Sequence, residues 1–296
     1  MDFTPELTTK DWNAEWMELQ KARRAADSAH HWDERAKTYH KAVLPPSPYV
    51  AEFIADAHVR PGDSVFDMGC GTGAISIPLA AEGHDVLACD FSEGMLGVLR
   101  EAAASLGVDV RTKLLGWADD WAACGIAPRS YDVACASRSI ATANLKEALG
   151  KLSAVARRRC AVTLPVGSSP RADAAILSAI GLQPQLGRDY VYAFMILVEM
   201  GQRPEVRYIE STRHDTFCNE EDAYASLERM VEDACRTTVP ADEKQHALQN
   251  LRMWLRENLV ANPDAGKRGP FDETEEAFRL KEPRKVVWAH IAWDVK

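Results

Sequence analysis

A chain of 296 residues, 46% of them hydrophobic, is long enough for one large domain with additions or two small ones, with a substantial buried core. Its formal net charge of −9 argues against a general binder of nucleic acid or anionic membrane, because phosphate affinity comes from clustered Lys and Arg. Seven cysteines, an odd number with no Cys-x-x-Cys and no Cys/His cluster at zinc spacing, read as reduced thiols, and no metal is expected.

The opening Met1–Glu6 lacks the basic and then apolar run of a leader, and the longest wholly apolar run, Val191–Val198, is far short of a membrane span. The expectation is a soluble cytoplasmic protein with no membrane partner. Over residues 11–26 the spacing of Trp12, Trp16, Leu19 and Arg23 predicts a helix capped by Thr9 or Asp11. A second helix is predicted from about His31 to Val43, with Trp32 and Tyr39 on one face. Pro45-Pro46-Ser47-Pro48 then breaks the chain, and a third helix, Tyr49 to His58, leads into the first strand.

That strand runs into Asp67-Met68-Gly69-Cys70-Gly71-Thr72-Gly73, three glycines at alternate positions ahead of a helical pattern. Glycines allow a sharp turn and close ligand approach, and the free N–H groups of a following helix attract an anion, so the turn reads as a ligand cradle. Gly69-x-Gly71-x-x-Ala74 loosely fits the dinucleotide fingerprint, but that fingerprint has no use for a carboxylate two residues before its first glycine. Asp67 suits instead a ligand with cationic groups near the turn. A second strand ends in Asp90, 17 residues after Gly73, about where a ribose-binding carboxylate belongs.

Downstream the pattern alternates. Strands are predicted at 64–68, 85–90, 109–115, 131–137 and 159–164, with helices at 72–82, 92–106, 117–123 and 144–156. This implies βαβ units and a mostly parallel sheet covered on both faces, with ligands beyond the carboxyl ends of the strands. Gly69–Gly73, Asp90, 115–120 and Ser137–Ser139 all fall there. Phe91 and Met95 follow Asp90 and are placed to flank a bound base. Helices are expected over 171–180, 189–200, 220–235 and 241–259, strands over 206–216 and 285–295, and an exposed loop at 262–270.

The acid-x-Gly-x-Gly-x-Gly turn and the acid ending the second strand together resemble the class I S-adenosylmethionine-dependent methyltransferases. The resemblance covers about residues 30–165 with good specificity and the remainder only in outline. It implies a Rossmann-like, doubly wound, seven-stranded mixed sheet with an antiparallel last strand inserted between the fifth and sixth. It also implies N-terminal lid helices over residues 1–47, and a methyltransferase domain over 48–296 with a substrate-side helical insertion at 166–284. S-adenosylmethionine is the implied cofactor and S-adenosylhomocysteine the product. Its implied site comprises Asp67, Gly69, Cys70, Gly71, Gly73, Asp90, Phe91, Met95 and Ser137, with Trp32 and Tyr39 reaching the methionine end. Many members carry Gly-Asp-Ala after the third strand; here Trp117 stands at the Asp position, which shifts adenine recognition onto the Ala118 backbone and onto Asp119 or Asp120, with Trp117 as a stacking wall. The Asn/Asp-Pro-Pro-aromatic tetrad of base and glutamine N-methyltransferases is missing from Ser137-Arg138-Ser139-Ile140. Arg138 is then a candidate for an anionic substrate or the methionine carboxylate, and His214, with Glu210 and Glu199, for a general base; no catalytic residue is assigned. A small-molecule acceptor is favoured over RNA or protein, a cofactor binder without catalysis is a further alternative, and monomer and homodimer stay open.

Overall fold

The computed structural model describes residues 10–23, 28–37, 39, 41–169, 171–183, 187–235, 239–269 and 274–295. Thr9, the last residues predicted for the first helix and Pro270 of the predicted loop lie outside them. The strands are β1 Ser64–Met68, β2 Asp85–Asp90, β3 Arg111–Leu114, β4 Tyr131–Ala136, β5 Ala156–Val166, β6 Glu205–Arg213, β7 Thr216–Phe217, β8 Leu259–Ala261, β9 Phe278–Leu280 and β10 Arg284–Asp294. Seven of them form one sheet in the order β3-β2-β1-β4-β5-β10-β6, mixed, with the last strand antiparallel and inserted between the fifth and sixth as expected. By compactness the chain divides into one unit of residues 1–164, 189–207 and 290–296 and another of 165–188 and 208–289. The predicted lid boundary at residue 47 is therefore not a boundary of compactness; the described N-terminal helices belong with the glycine turn.

In the first unit β1 pairs in parallel with β2 and β4, β2 with β3, and β4 with β5. Val65, Phe66, Asp67 and Met68 are all buried, as in a strand covered on both faces. Its helices are α1 Trp12–Ala22, α2 Ala29–Ala36, α3 Pro48–Asp56, α4 Ser76–Ala81, α5 Glu93–Leu106, α6 Leu145–Val155 and, past α7 Ala174–Ala179 of the other unit, α8 Asp189–Glu199. The strongest local start and stop belong to α5. Ser92 Oγ accepts the Met95 N–H at 3.1 Å, and Gly107 takes a left-handed φ of 68° at the other end. Between them Leu96 and Leu99 are fully buried against Ile77 and Ala88, and each of the two leucines contributes roughly 1.5–3 kcal/mol.

The helix predicted at 117–123 does not form. Asp119 Oδ2 accepts the Gly116 N–H at 2.6 Å, Asp120 Oδ1 accepts the Ala123 N–H at 3.1 Å, and the Trp121 indole donates to Gly116 O. These local bonds hold the backbone groups in turns. The predicted helix at 72–82 shortens to α4 because Gly73, at φ 91°, stays in the turn.

The second unit gathers α7 Ala174–Ala179, α9 Glu220–Ala234 and α10 Ala241–Asn258 around Ile176, Leu227, Val231, Leu251 and Leu255. It also holds a three-stranded sheet in the order β7-β9-β8, antiparallel, that sequence periodicity missed because its strands have two or three residues. Buried Arg284 bridges Asp173 at 3.4 Å and Asp215 at 3.0 Å. Among the described residues no helix is long and apolar enough to cross a membrane, and no group of three or more His, Cys, Asp or Glu is placed to hold a metal.

Candidate functional site

The three glycines of the turn, all left-handed, answer to three different constraints. A Cβ on Gly69 would stand 2.3 Å from Ser139 Cβ, and one on Gly73 would stand 2.8 Å from Leu99 Cγ, so these two serve protein packing. A Cβ on Gly71, φ 55°, would meet nothing within 4 Å. Of the three, only this middle glycine faces open space. The turn is tied to β2 by the Gly69 and Cys70 N–H groups, which donate to Cys89 O at 2.7 and 3.0 Å.

Asp67 was placed by the sequence against a ligand's cationic groups; the structure turns it inward. It is 1% exposed, accepts from Ser76 Oγ at 2.6 Å and faces Cys135 Sγ at 3.8 Å. Burial, reinforced by the charge of Asp90, pushes its carboxyl up to about 6. Through Ser76 it is tied to α4 beneath the turn. Cys70 is also buried, its thiol pushed well up by burial, so this residue enters the site through its backbone. Asp90 closes β2 with its carboxylate wrapped in amides. Oδ2 accepts from Gly71 N at 2.9 Å and Oδ1 from Ser92 N at 2.9 Å. Burial nevertheless raises its pKa.

Around Asp90 the structure separates two residues that the sequence grouped. Phe91 is exposed at 38% and lies against Gly116, whereas Met95, at 2%, belongs to the core and is withdrawn from the site by the inward face of α5. Trp117 is half-buried and fixed by its indole N–H on Ser139 O at 3.0 Å, with Trp121 5.5 Å away between ring centroids. Ala118 and Asp119 are exposed, and the Asp119 carboxylate is committed to Gly116. Lys151 Nζ donates to the carbonyls of Trp117 and Asp119 at 2.7 and 3.1 Å, anchoring this loop from α6.

At the end of β4, Ser139 Oγ donates to Met68 O at 2.7 Å, which sets β4 against the glycine turn. Ser137 Oγ and Thr163 Oγ1 each lie 2.8 Å from Tyr49 Oη. The Arg138 N–H donates to Thr163 Oγ1 at 3.0 Å, its φ of 61° is left-handed, and its guanidinium stacks 3.6 Å from the Tyr49 ring centroid. Sequence reasoning did not find Tyr49 or Thr163, because no local signal links residues 49, 138 and 163.

The N-terminal helices divide. Trp16 is fully buried with its indole N–H on Thr142 O at 2.8 Å, and so is a core residue. Trp32 and Tyr39 do meet, edge to face at 6.0 Å, with Arg35 beside both rings. The missed residue of α2 is Asp33, whose Oδ1 accepts from Ser92 Oγ at 2.6 Å and Gly94 N at 2.9 Å. His214 is exposed in the connection between β6 and β7, in the second unit.

A profile of the methyltransferase domain matches residues 65–159, the stretch that builds the turn, Asp90 and the ends of β3 and β4. An uncharacterized protein of Haemophilus influenzae is 31% identical over 203 residues, covering 68% of this chain and 73% of its own. The chain belongs to the class I S-adenosylmethionine-dependent methyltransferases. The ubiquinone biosynthesis O-methyltransferase of Hahella chejuensis is 32% identical over 94 residues, 32% of this chain and 39% of that one, so this match spans well under half of its length. Among solved structures, the YcgJ protein of Bacillus subtilis overlays at a TM-score of 0.50 with 12% identity, over 84% of this chain and 98% of its own, a likeness of fold.

S-adenosylmethionine is the cofactor of this family, and the residues present fit it. The space beside Gly71 is open, and Asp90 next to it keeps acceptor capacity, since a carboxylate offers about four lone-pair sites against the Gly71 and Ser92 amides that it accepts.

Proposed function

We propose that this chain transfers a methyl group from S-adenosylmethionine to a small-molecule acceptor. The observation that carries the reading is the conjunction of an open Gly71 with the amide-held carboxylate of Asp90. In it, Asp90 takes the ribose hydroxyls, Gly71 admits the methionine end, and Phe91, Trp117 and the Ala118 backbone bound the adenine. The donor supplies an electrophilic methyl on a sulfonium that is already a good leaving group. What is left to the chain is to align and desolvate the acceptor, so a dedicated base is needed only for an acceptor protonated at neutral pH. The buried thiols Cys70, Cys89 and Cys135 do not serve, since burial raises each and keeps it protonated.

The small-molecule class rests on the net charge of −9, on the missing tetrad, and on small-molecule names among the relatives, of which the ubiquinone biosynthesis O-methyltransferase is one. We assign Arg138 to an anionic group of the acceptor. A left-handed non-glycine residue is a strained one, and here stacking on Tyr49 and the bond to Thr163 hold it at the sheet's mouth with its guanidinium fixed in place.

Calorimetric titration with S-adenosylhomocysteine tests the donor site. Asp90→Ala should lose roughly 2–4 kcal/mol of binding through two hydrogen bonds to a charged acceptor, with the fold retained. Gly71→Val should abolish binding, because a branched side chain opposes φ 55° and fills the open space. Normal affinity in either variant would remove that residue from the site. Transfer of label from isotopic donor into metabolite, RNA and protein fractions of a cell extract should mark the metabolite fraction; label in RNA or protein alone would overturn the acceptor class.

A further inference from the structure

Asp33 lies on α2, outside the glycine turn and outside β2, yet it is bonded into the same network as Asp90. Its Oδ1 receives the Ser92 hydroxyl at 2.6 Å and the Gly94 N–H at 2.9 Å. Ser92 has one hydroxyl proton; giving it to Asp33 leaves the oxygen to accept the Met95 N–H at 3.1 Å. The backbone N–H of that same Ser92 donates to Asp90 Oδ1, while Gly71 donates to Oδ2. A continuous chain of short bonds thus runs Asp33–Ser92–Asp90–Gly71. Packing reinforces it, since a Cβ on Gly94 would come within 2.9 Å of Asp33 Cα, so the two backbones are as close as the absence of a side chain permits. The Ser92 and Gly94 groups lie in the first turn of α5, where a carboxylate meets the positive end of the helix.

We infer that Asp33 is a positioning residue of the donor site: by holding Ser92 it fixes the peptide that orients Asp90, and so couples the docking of α2 to donor affinity. The inference rests on the donor reading given above. Without Asp33, Ser92 Oγ can turn its proton elsewhere, the first turn of α5 loosens, and Asp90 loses the fixed amide that orients one of its two oxygens. Coupling of this kind is reciprocal, so a donor that favours the ordered Asp90 also favours docked α2.

The test uses Asp33→Ala, Asp33→Asn and Gly94→Ala in the full chain. The alanine at 94 separates α2 from α5 without altering Asp33. Amide exchange of the ligand-free protein should rise at Ser92 and Gly71 in Asp33→Ala and Gly94→Ala, by about tenfold, with Val133 and Leu149 in the core unchanged. Affinity for S-adenosylhomocysteine, the probe, should fall about tenfold in both, within the usual range of such couplings, and Asp33→Asn, which keeps an acceptor oxygen, should recover part of it. Faster exchange confined to residues 28–37 and Gly94 would overturn the proposal. Faster exchange at Ser92 and Gly71 with affinity intact would overturn it equally. If the wild-type protein failed to bind the probe, the donor reading would fall, while the ligand-free exchange would still decide whether Asp33 orders Ser92 and Gly71.

Discussion

The family resemblance assigns α1 and α2 to a single lid, yet the structure holds them differently. Helix α1 is fastened by burial: Trp16 is fully covered, Tyr192 packs against it and against Trp12, and Arg23 grips the buried Asp189 with two bonds of 2.6 and 2.8 Å. Helix α2 buries one small side chain, Ala36, and leaves Trp32 half-covered; it is tied to the first turn of α5 by polar bonds, which Asp33 accepts. Apolar burial is non-directional and costly to undo, whereas two hydrogen bonds at a solvent-facing helix end are worth little net and are readily exchanged. The difference makes α1 part of the core and α2 the element able to respond to the site.

The largest expected effect would break α1. Trp16→Ala should cost about 3–5 kcal/mol, and Trp32→Ala no more than about half of that, by chemical denaturation. Equal losses would abolish the distinction. Next, Arg23→Ala should cost about 1–3 kcal/mol by leaving the Asp189 carboxylate buried alone; the value stays below that of a fully buried pair because the Arg23 side chain is 34% exposed. Third, addition of S-adenosylhomocysteine should raise amide protection over residues 28–37 and leave 12–22 as it was. Protection already maximal in α2 without ligand would make both helices core. The smallest effect is acidic. Asp33 is held below its ordinary value of 3.8 by the Ser92 hydroxyl and then the Gly94 N–H. A depressed folded pKa contributes stability that is present above 3.8 and lost as pH falls through the folded value. Below about pH 4, therefore, exchange in α2 should rise ahead of α1, and Asp33→Asn should remove that acid limb; a limb unchanged in the variant would detach Asp33 from it.

Much of the site was legible in linear order because its signals are local. The glycine turn and the acid at the end of β2 each depend on residues within a few positions, and the alternation of strand and helix carried the sheet with them. The readings that shifted are those that depend on which way a side chain faces. Met95 and Phe91 are four residues apart beside the same acid, and only the packing of α5 on the sheet sends one into the core and leaves the other at the rim.

From the sequence alone follow the parallel sheet, the turn between β1 and α4, Asp90 at its strand end and the family resemblance, since these rest on periodicity and on glycine's freedom to take a positive φ. Only the tertiary structure decided that Gly69 and Gly73 yield to Ser139 and Leu99 while Gly71 stays open, and that Asp67 braces from below. It alone also joined Asp33 to Ser92 across 59 positions and Tyr49 to Thr163 across 114. The physical reason is that a hydrogen bond or a missing Cβ is settled by distances of a few ångströms in space, and nothing in the linear order of a chain specifies which distant residue will stand there.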